Sequence, residues 1–134
     1  MKNFVCIFLL ILFYMIPINA HSQSNVNSIV SIMAEEVNSI APKTFDLPDG
    51  TRQTLLFASA KYNKLTYHYK LHDADIRNID QNTFKNVIRN INLTELCPSP
   101  LADLVNKGVD IAYSYVDKND KFMAVTVISL GDCK

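Results

Sequence analysis

The stretch Leu96 to Cys133, LCPSPLADLVNKGVDIAYSYVDKNDKFMAVTVISLGDC, decides the fold. It opens with a cysteine followed by Pro98, which stops any preceding helix. Ser99-Pro100 then predicts a short helix, with serine as N-cap, proline at the first helical position and Asp103 in the first turn. Leu101, Leu104 and Val105 form its apolar face, and Gly108 supplies a left-handed C-terminal residue. Val109 to Val116 alternates, with Val109, Ile111, Tyr113 and Tyr115 on one face. Asp117 to Asp120 reads as a turn, and Lys121 to Leu130 as a last strand. That strand is apolar on both faces, which predicts a place inside a sheet rather than at its edge.

Upstream, Leu65 to Leu71 alternates as cleanly, with Leu65, Tyr67, Tyr69 and Leu71 on one face. Thr54 to Tyr62 reads as its hairpin partner, less regularly, across a break at Asn63-Lys64. Phe45 to Thr51 reads as a loop whose Asp49-Gly50 marks a turn. Asn25 to Ile40 carries Val26, Ile29, Val30, Met33, Val37 and Ile40 on one helical face, ended by Pro42. Asp80 caps a second helix with Phe84, Val87, Ile88 and Ile91 along one side, running towards Cys97. The order αββααββ predicts an α+β domain: a four-stranded antiparallel sheet made of two hairpins, with three helices packed on it.

The first residues belong to a different object. Lys2 precedes the apolar run Phe4 to Ile16, broken by Pro17 and ending in Ile18-Asn19-Ala20. This is the pattern of a cleavable signal peptide, residues 1–20, and leaves residues 21–134 as one domain. The run is shorter than the roughly 20 residues that span a bilayer, so no membrane anchor is expected after cleavage. Export to the periplasm, or beyond the cell, is the expectation. Cys6 leaves with the leader, and in an oxidising compartment Cys97 and Cys133 are then expected to form a disulfide.

Formal charge is zero over 134 residues, with no clustered Lys/Arg, so nucleic acid is not an expected partner. Gly-x-Ser-x-Gly, His-Glu-x-x-His and glycine-rich phosphate loops do not occur, so no catalytic, cofactor or metal residue is assigned and no enzyme is expected. Asn92-Leu93-Thr94 matches a glycosylation sequon. His68, His72, Asp73 and Asp75 resemble a metal or acid–base cluster as letters. On an extended strand, however, His68 and His72 stand about 13 Å apart. A zinc site needs both rings within about 2.1 Å of one ion. His21, the N-terminal residue after cleavage, offers an amine and an imidazole to copper but has no second ligand in view. Tyr67, Tyr69, Tyr113 and Tyr115 read either as an aromatic recognition surface or as core, and their apolar companions on the same faces favour core.

The hairpin TLLFASAKYNKLTYHYKL, and more so the Leu96–Cys133 block, resembles small exported bacterial proteins that include the quorum-sensing-regulated virulence factor type. Asp120 stands where such a turn would be expected to hold glycine. The resemblance implies a periplasmic or secreted protein of a Gram-negative bacterium, tied to virulence or the envelope, and brings no catalytic residue. The functional expectation is a binding module acting through a protein partner. An inhibitor or immunity protein against a toxin or hydrolase is the alternative, and a small metal binder or enzyme using the histidine region is a third.

Overall fold

The computed structural model describes residues 23–134. The leader, Cys6 and His21 lie outside them. Helix α1 (Gln23–Ile40) leads into strands β1 (Lys43–Asp46), β2 (Arg52–Lys61) and β3 (Lys64–Leu71). A 3₁₀ turn (Ile76–Asn78) precedes helices α2 (Gln81–Leu96) and α3 (Leu101–Asn106), followed by strands β4 (Asp110–Val116) and β5 (Phe122–Ile128). The strands form one five-stranded sheet in the order β1-β2-β3-β4-β5.

Two features correct the expected four-stranded antiparallel sheet. The first is β1: Lys43–Asp46, of which Phe45 and Asp46 are expected as loop and Lys43-Thr44 as no element, pairs antiparallel with Arg52–Leu55 across the Asp49-Gly50 turn. Four residues are too few to show a period of two, so the sequence carries no strand signal there. The second is the parallel pairing of β3 with β4, in register Leu65↔Ile111, Tyr67↔Tyr113 and Tyr69↔Tyr115. The two hairpins do not meet edge to edge in antiparallel fashion, because α2 and α3 return the chain to the end of the sheet where β3 began. A helical crossover of that length is what parallel strands require.

A third expectation also fails: β5 lies at the edge of the sheet, not inside it. The irregular alternation of β2 has a local cause. A bulge at Leu56, between Leu55 and Phe57, shifts the inward-facing series from Leu55 to Ala58, while Thr54 is buried on the other face against Thr44 and His72.

The core lies between the helices and one face of the sheet. Val30, Met33 and Val37 of α1, Leu96 of α2 and Leu101, Leu104 and Val105 of α3 pack there with Leu55, Leu65, Tyr67, Ile111, Tyr115 and Ile128. Caps act as the sequence predicts. Asp80 accepts a hydrogen bond from the Thr83 amide at 2.8 Å, and Ser99 Oγ accepts from the Leu101 amide at 3.2 Å. Gly108 has φ +93 after α3, and Asp120 itself takes a left-handed φ of 62 where glycine was expected.

Cys97 and Cys133 are joined, tying the tail after β5 to the end of α2. The bridge closes a separation of 36 residues. The Cys97→Ser, Cys133→Ser double variant is therefore expected to lose about 3.5–4 kcal/mol by chain entropy, read from denaturant midpoints with and without the bridge.

The crossover is also fastened by carboxylates. Asp117, fully buried, accepts from the amides of Ile76, Asn119 and Lys121 at 3.0, 2.8 and 2.9 Å. The Ile76 amide leads in holding its carboxyl below the usual range. Arg77 does the same for Asp75 by a side-chain hydrogen bond. Both acids titrate lower folded than unfolded, so their stabilisation is present above the unfolded value and lost as pH falls towards the folded one. Chemical denaturation is expected to show stability declining below about pH 4, with a shallower decline for Asp117→Asn.

Candidate functional site

The apolar side of α2 is only partly used by the core. Val87 and Ile91 are 53% and 41% exposed, while Phe84 and Ile88 are half-buried. On one side of the helix a stripe of aliphatic groups at helical spacing thus faces open space. Beside that stripe lies a groove of about 360 Å³. Ile88, Ile91, Asn92 and Glu95 of α2 line one side, and Leu47 and Thr51 of the β1–β2 loop with Gln53 of β2 line another. Tyr69, Leu71, Tyr113 and Tyr115 make the floor.

The two readings of the tyrosines meet here. Tyr67, Tyr113 and Tyr115 are buried, and Tyr69 is half-buried. Parallel register stacks Tyr67 on Tyr113 at 5.7 Å and Tyr69 on Tyr115 at 5.8 Å, and Phe84 meets Tyr115 edge-on at 5.9 Å. Tyr67 is core alone, while Tyr69, Tyr113 and Tyr115 belong to the core region and also line the groove. Burial raises the phenol pKa of all four well above its ordinary value.

A buried polar relay fixes the α2 wall. Tyr115 Oη donates to Asn92 Oδ1 at 3.1 Å, and Asn92 Nδ2 donates to Thr126 Oγ1 at 3.0 Å. Asn92 therefore points into the sheet, and its amide is engaged there rather than offered as a glycosylation acceptor. At the groove, desolvation raises the Glu95 carboxyl above its ordinary value. Asp49, Arg52, Asp73 and Glu95 also line the groove. The Arg52 guanidinium itself bonds Asp46 at 3.0 Å.

The histidine region does not assemble. His68 lies on the other face of the sheet, stacked on Phe57 at 4.1 Å, with Nε2 2.9 Å from Ser59 Oγ. His72 Nε2 is 2.7 Å from Thr54 Oγ1. Asp73 accepts from the Arg52 amide, and Asp75 pairs with Arg77 and Lys118. Among the described residues no group of three or more His, Cys, Asp or Glu is placed to hold a metal ion. No helix there is long and apolar enough to cross a membrane.

Sequence reasoning missed Asn92, Glu95 and Leu47. For Asn92 a signal was present, an amide lying next to the apolar stripe of a helix. For Leu47 and Glu95 there was none, because the groove joins segments more than forty residues apart.

With this geometry in view, the fold is found in other proteins. A protein of Pseudomonas aeruginosa described as secreted superposes with a TM-score of 0.67 and 15% identity, covering 86% of this chain and 100% of that one. A pilotin of the Vibrio vulnificus type 2 secretion system gives 0.65 and 8%, covering 84% and 94%. A type II secretion system pilotin of Vibrio cholerae gives 0.62 and 15%, covering 83% and 94%. At these identities the likeness shows a shared fold. No family model and no curated protein matches the chain, so the virulence factor type stays a resemblance.

Two substitutions separate the roles of the buried polar groups. Asn92→Ala strands the hydroxyls of Tyr115 and Thr126 and is expected to cost about 2–3 kcal/mol. Tyr67→Phe is expected to be neutral or slightly stabilising, because no described group bonds the buried Tyr67 hydroxyl. Equilibrium denaturation of both variants checks the contrast.

Proposed function

We propose that this protein is an exported interaction module that receives an apolar segment of a partner protein in the groove beside α2, acting by binding rather than catalysis. The observation that carries the reading is the exposure of Val87 and Ile91 on α2, where Ile91 and the half-buried Ile88 line a groove together with Tyr69, Tyr113 and Tyr115. Exposed apolar surface next to a preformed groove is costly in water unless something covers it. The α2 side of the groove is held by the Asn92 relay and the disulfide, so little ordering of that helix is needed on binding.

The shared fold supports this reading, since two of its holders are pilotins of secretion systems and a third is described as secreted. The leader motif and that company support export, and we place the protein in the envelope, the periplasm above all. The resemblance to the quorum-sensing-regulated type fits the same setting.

The test is a photo-reactive residue at position 91 in the native host, with position 32 on the exposed side of α1 as control. One dominant protein adduct from position 91, absent from position 32, is expected. Ile91→Glu should cut recovery of that same protein about tenfold, the effect of losing one central apolar contact. Equal capture from both positions, or undiminished recovery with Ile91→Glu, overturns the proposal.

A further inference from the structure

The tyrosines that line the groove are apolar in their rings and polar at their tips. Tyr115 gives its hydroxyl to Asn92. Tyr113 does not. Its side chain is only 7% exposed and lines the groove, and its hydroxyl bonds no group among the described residues. Tyr69, half-buried in the same lining, likewise keeps its hydroxyl out of any hydrogen bond among them. A buried phenol without a partner is unfavourable unless something entering the groove meets it.

A carboxylate lies beside these hydroxyls. Glu95 of α2 lines the groove, and its charge, after burial, bears on the phenols of Tyr69, Tyr113 and Tyr115. Partial desolvation disfavours that charge, and a cation offsets this. Two further acids line the groove, Asp49 and Asp73. Asp49 Oδ1 accepts from the amide and hydroxyl of Thr51, and Asp73 Oδ2 from the Arg52 amide. Their other oxygens accept from no group among the described residues. Arg52 is the one cation in the lining, and its guanidinium bonds Asp46. The groove is thus apolar in its walls and acidic in its charge.

We infer that the segment held in this groove is cationic, and that one of its lysine ammonium groups enters among Glu95 and the hydroxyls of Tyr69 and Tyr113. The inference rests on the partner-binding reading of the groove. An ammonium carries three donors and no acceptor, and one carboxylate with two phenol oxygens supplies what it lacks. Aromatic rings favour a cation over an anion in the same place. Asp49 and Asp73 draw a basic segment and repel an acidic one.

The experiment takes the segment cross-linked at position 91, identified by mass spectrometry and synthesised as a peptide. Its affinity is measured by titration calorimetry for wild type, Glu95→Gln and Tyr113→Phe. The segment is expected to carry a lysine within about four residues of the cross-link, the span of one helical turn. Binding should weaken about tenfold for Glu95→Gln and about threefold for Tyr113→Phe. A peptide with that lysine replaced by glutamine should bind wild type and Glu95→Gln alike, since the pair is then already broken. A segment without such a lysine, or an affinity unchanged by Glu95→Gln, overturns the inference while capture at position 91 leaves the partner-binding reading standing. No adduct at position 91 overturns both. Should Glu95→Gln not fold, salt decides on wild type. Affinity falling about tenfold between about 50 mM and about 500 mM salt supports the inference, and affinity independent of salt overturns it.

Discussion

The parallel pairing of β3 with β4 is the constraint from which the rest of the molecule follows. Parallel neighbours oblige the chain to leave one end of the sheet and re-enter at the other. That return path is α2 and α3, and it lays both on the face already occupied by α1. The same register aligns Tyr67 with Tyr113 and Tyr69 with Tyr115, so four large rings share one face in stacked pairs. An antiparallel arrangement of the two hairpins would have set these strands running in opposite directions and placed different residues beside each other. The groove floor is thus a product of topology, built from residues more than forty positions apart.

Holding the crossover in place takes ties at several points. At its start, Asp117 gathers three amides from the segment before α2 and from the β4–β5 turn. Between its two helices, the disulfide joins the close of α2 to the tail. Between them Asn92 spans from Tyr115 to Thr126. These ties fix the position of α2 beside the groove.

How much of this was legible in the sequence depends on how local the cause is. The helices, their caps at Asp80 and Ser99, Gly108 and the alternation of β3 and β4 were readable, because each rests on neighbours a few residues away. The disulfide was readable because two cysteines allow one pairing. Strand direction was not: alternation in Val109–Val116 is the same for a parallel and an antiparallel partner. β1 was too short to show a pattern, and the bulge at Leu56 blurred β2. The apolar stripe Phe84, Val87, Ile88 and Ile91 was legible as one side of a helix, but periodicity reports that a face is apolar, not whether it is covered. The double-sided apolarity of β5 was read as an inner position, yet β5 lies at the edge.

The account stands on the claim that the groove beside α2 is where a partner is held. Its most direct test is amide hydrogen exchange on the chain bound to its captured partner, compared with the chain alone. The account predicts slowed exchange concentrated in residues 84–96 and 47–53, with α1 and the outer sheet face unchanged. Protection on α1 or across the outer face, with α2 and the β1–β2 loop unaffected, would contradict it.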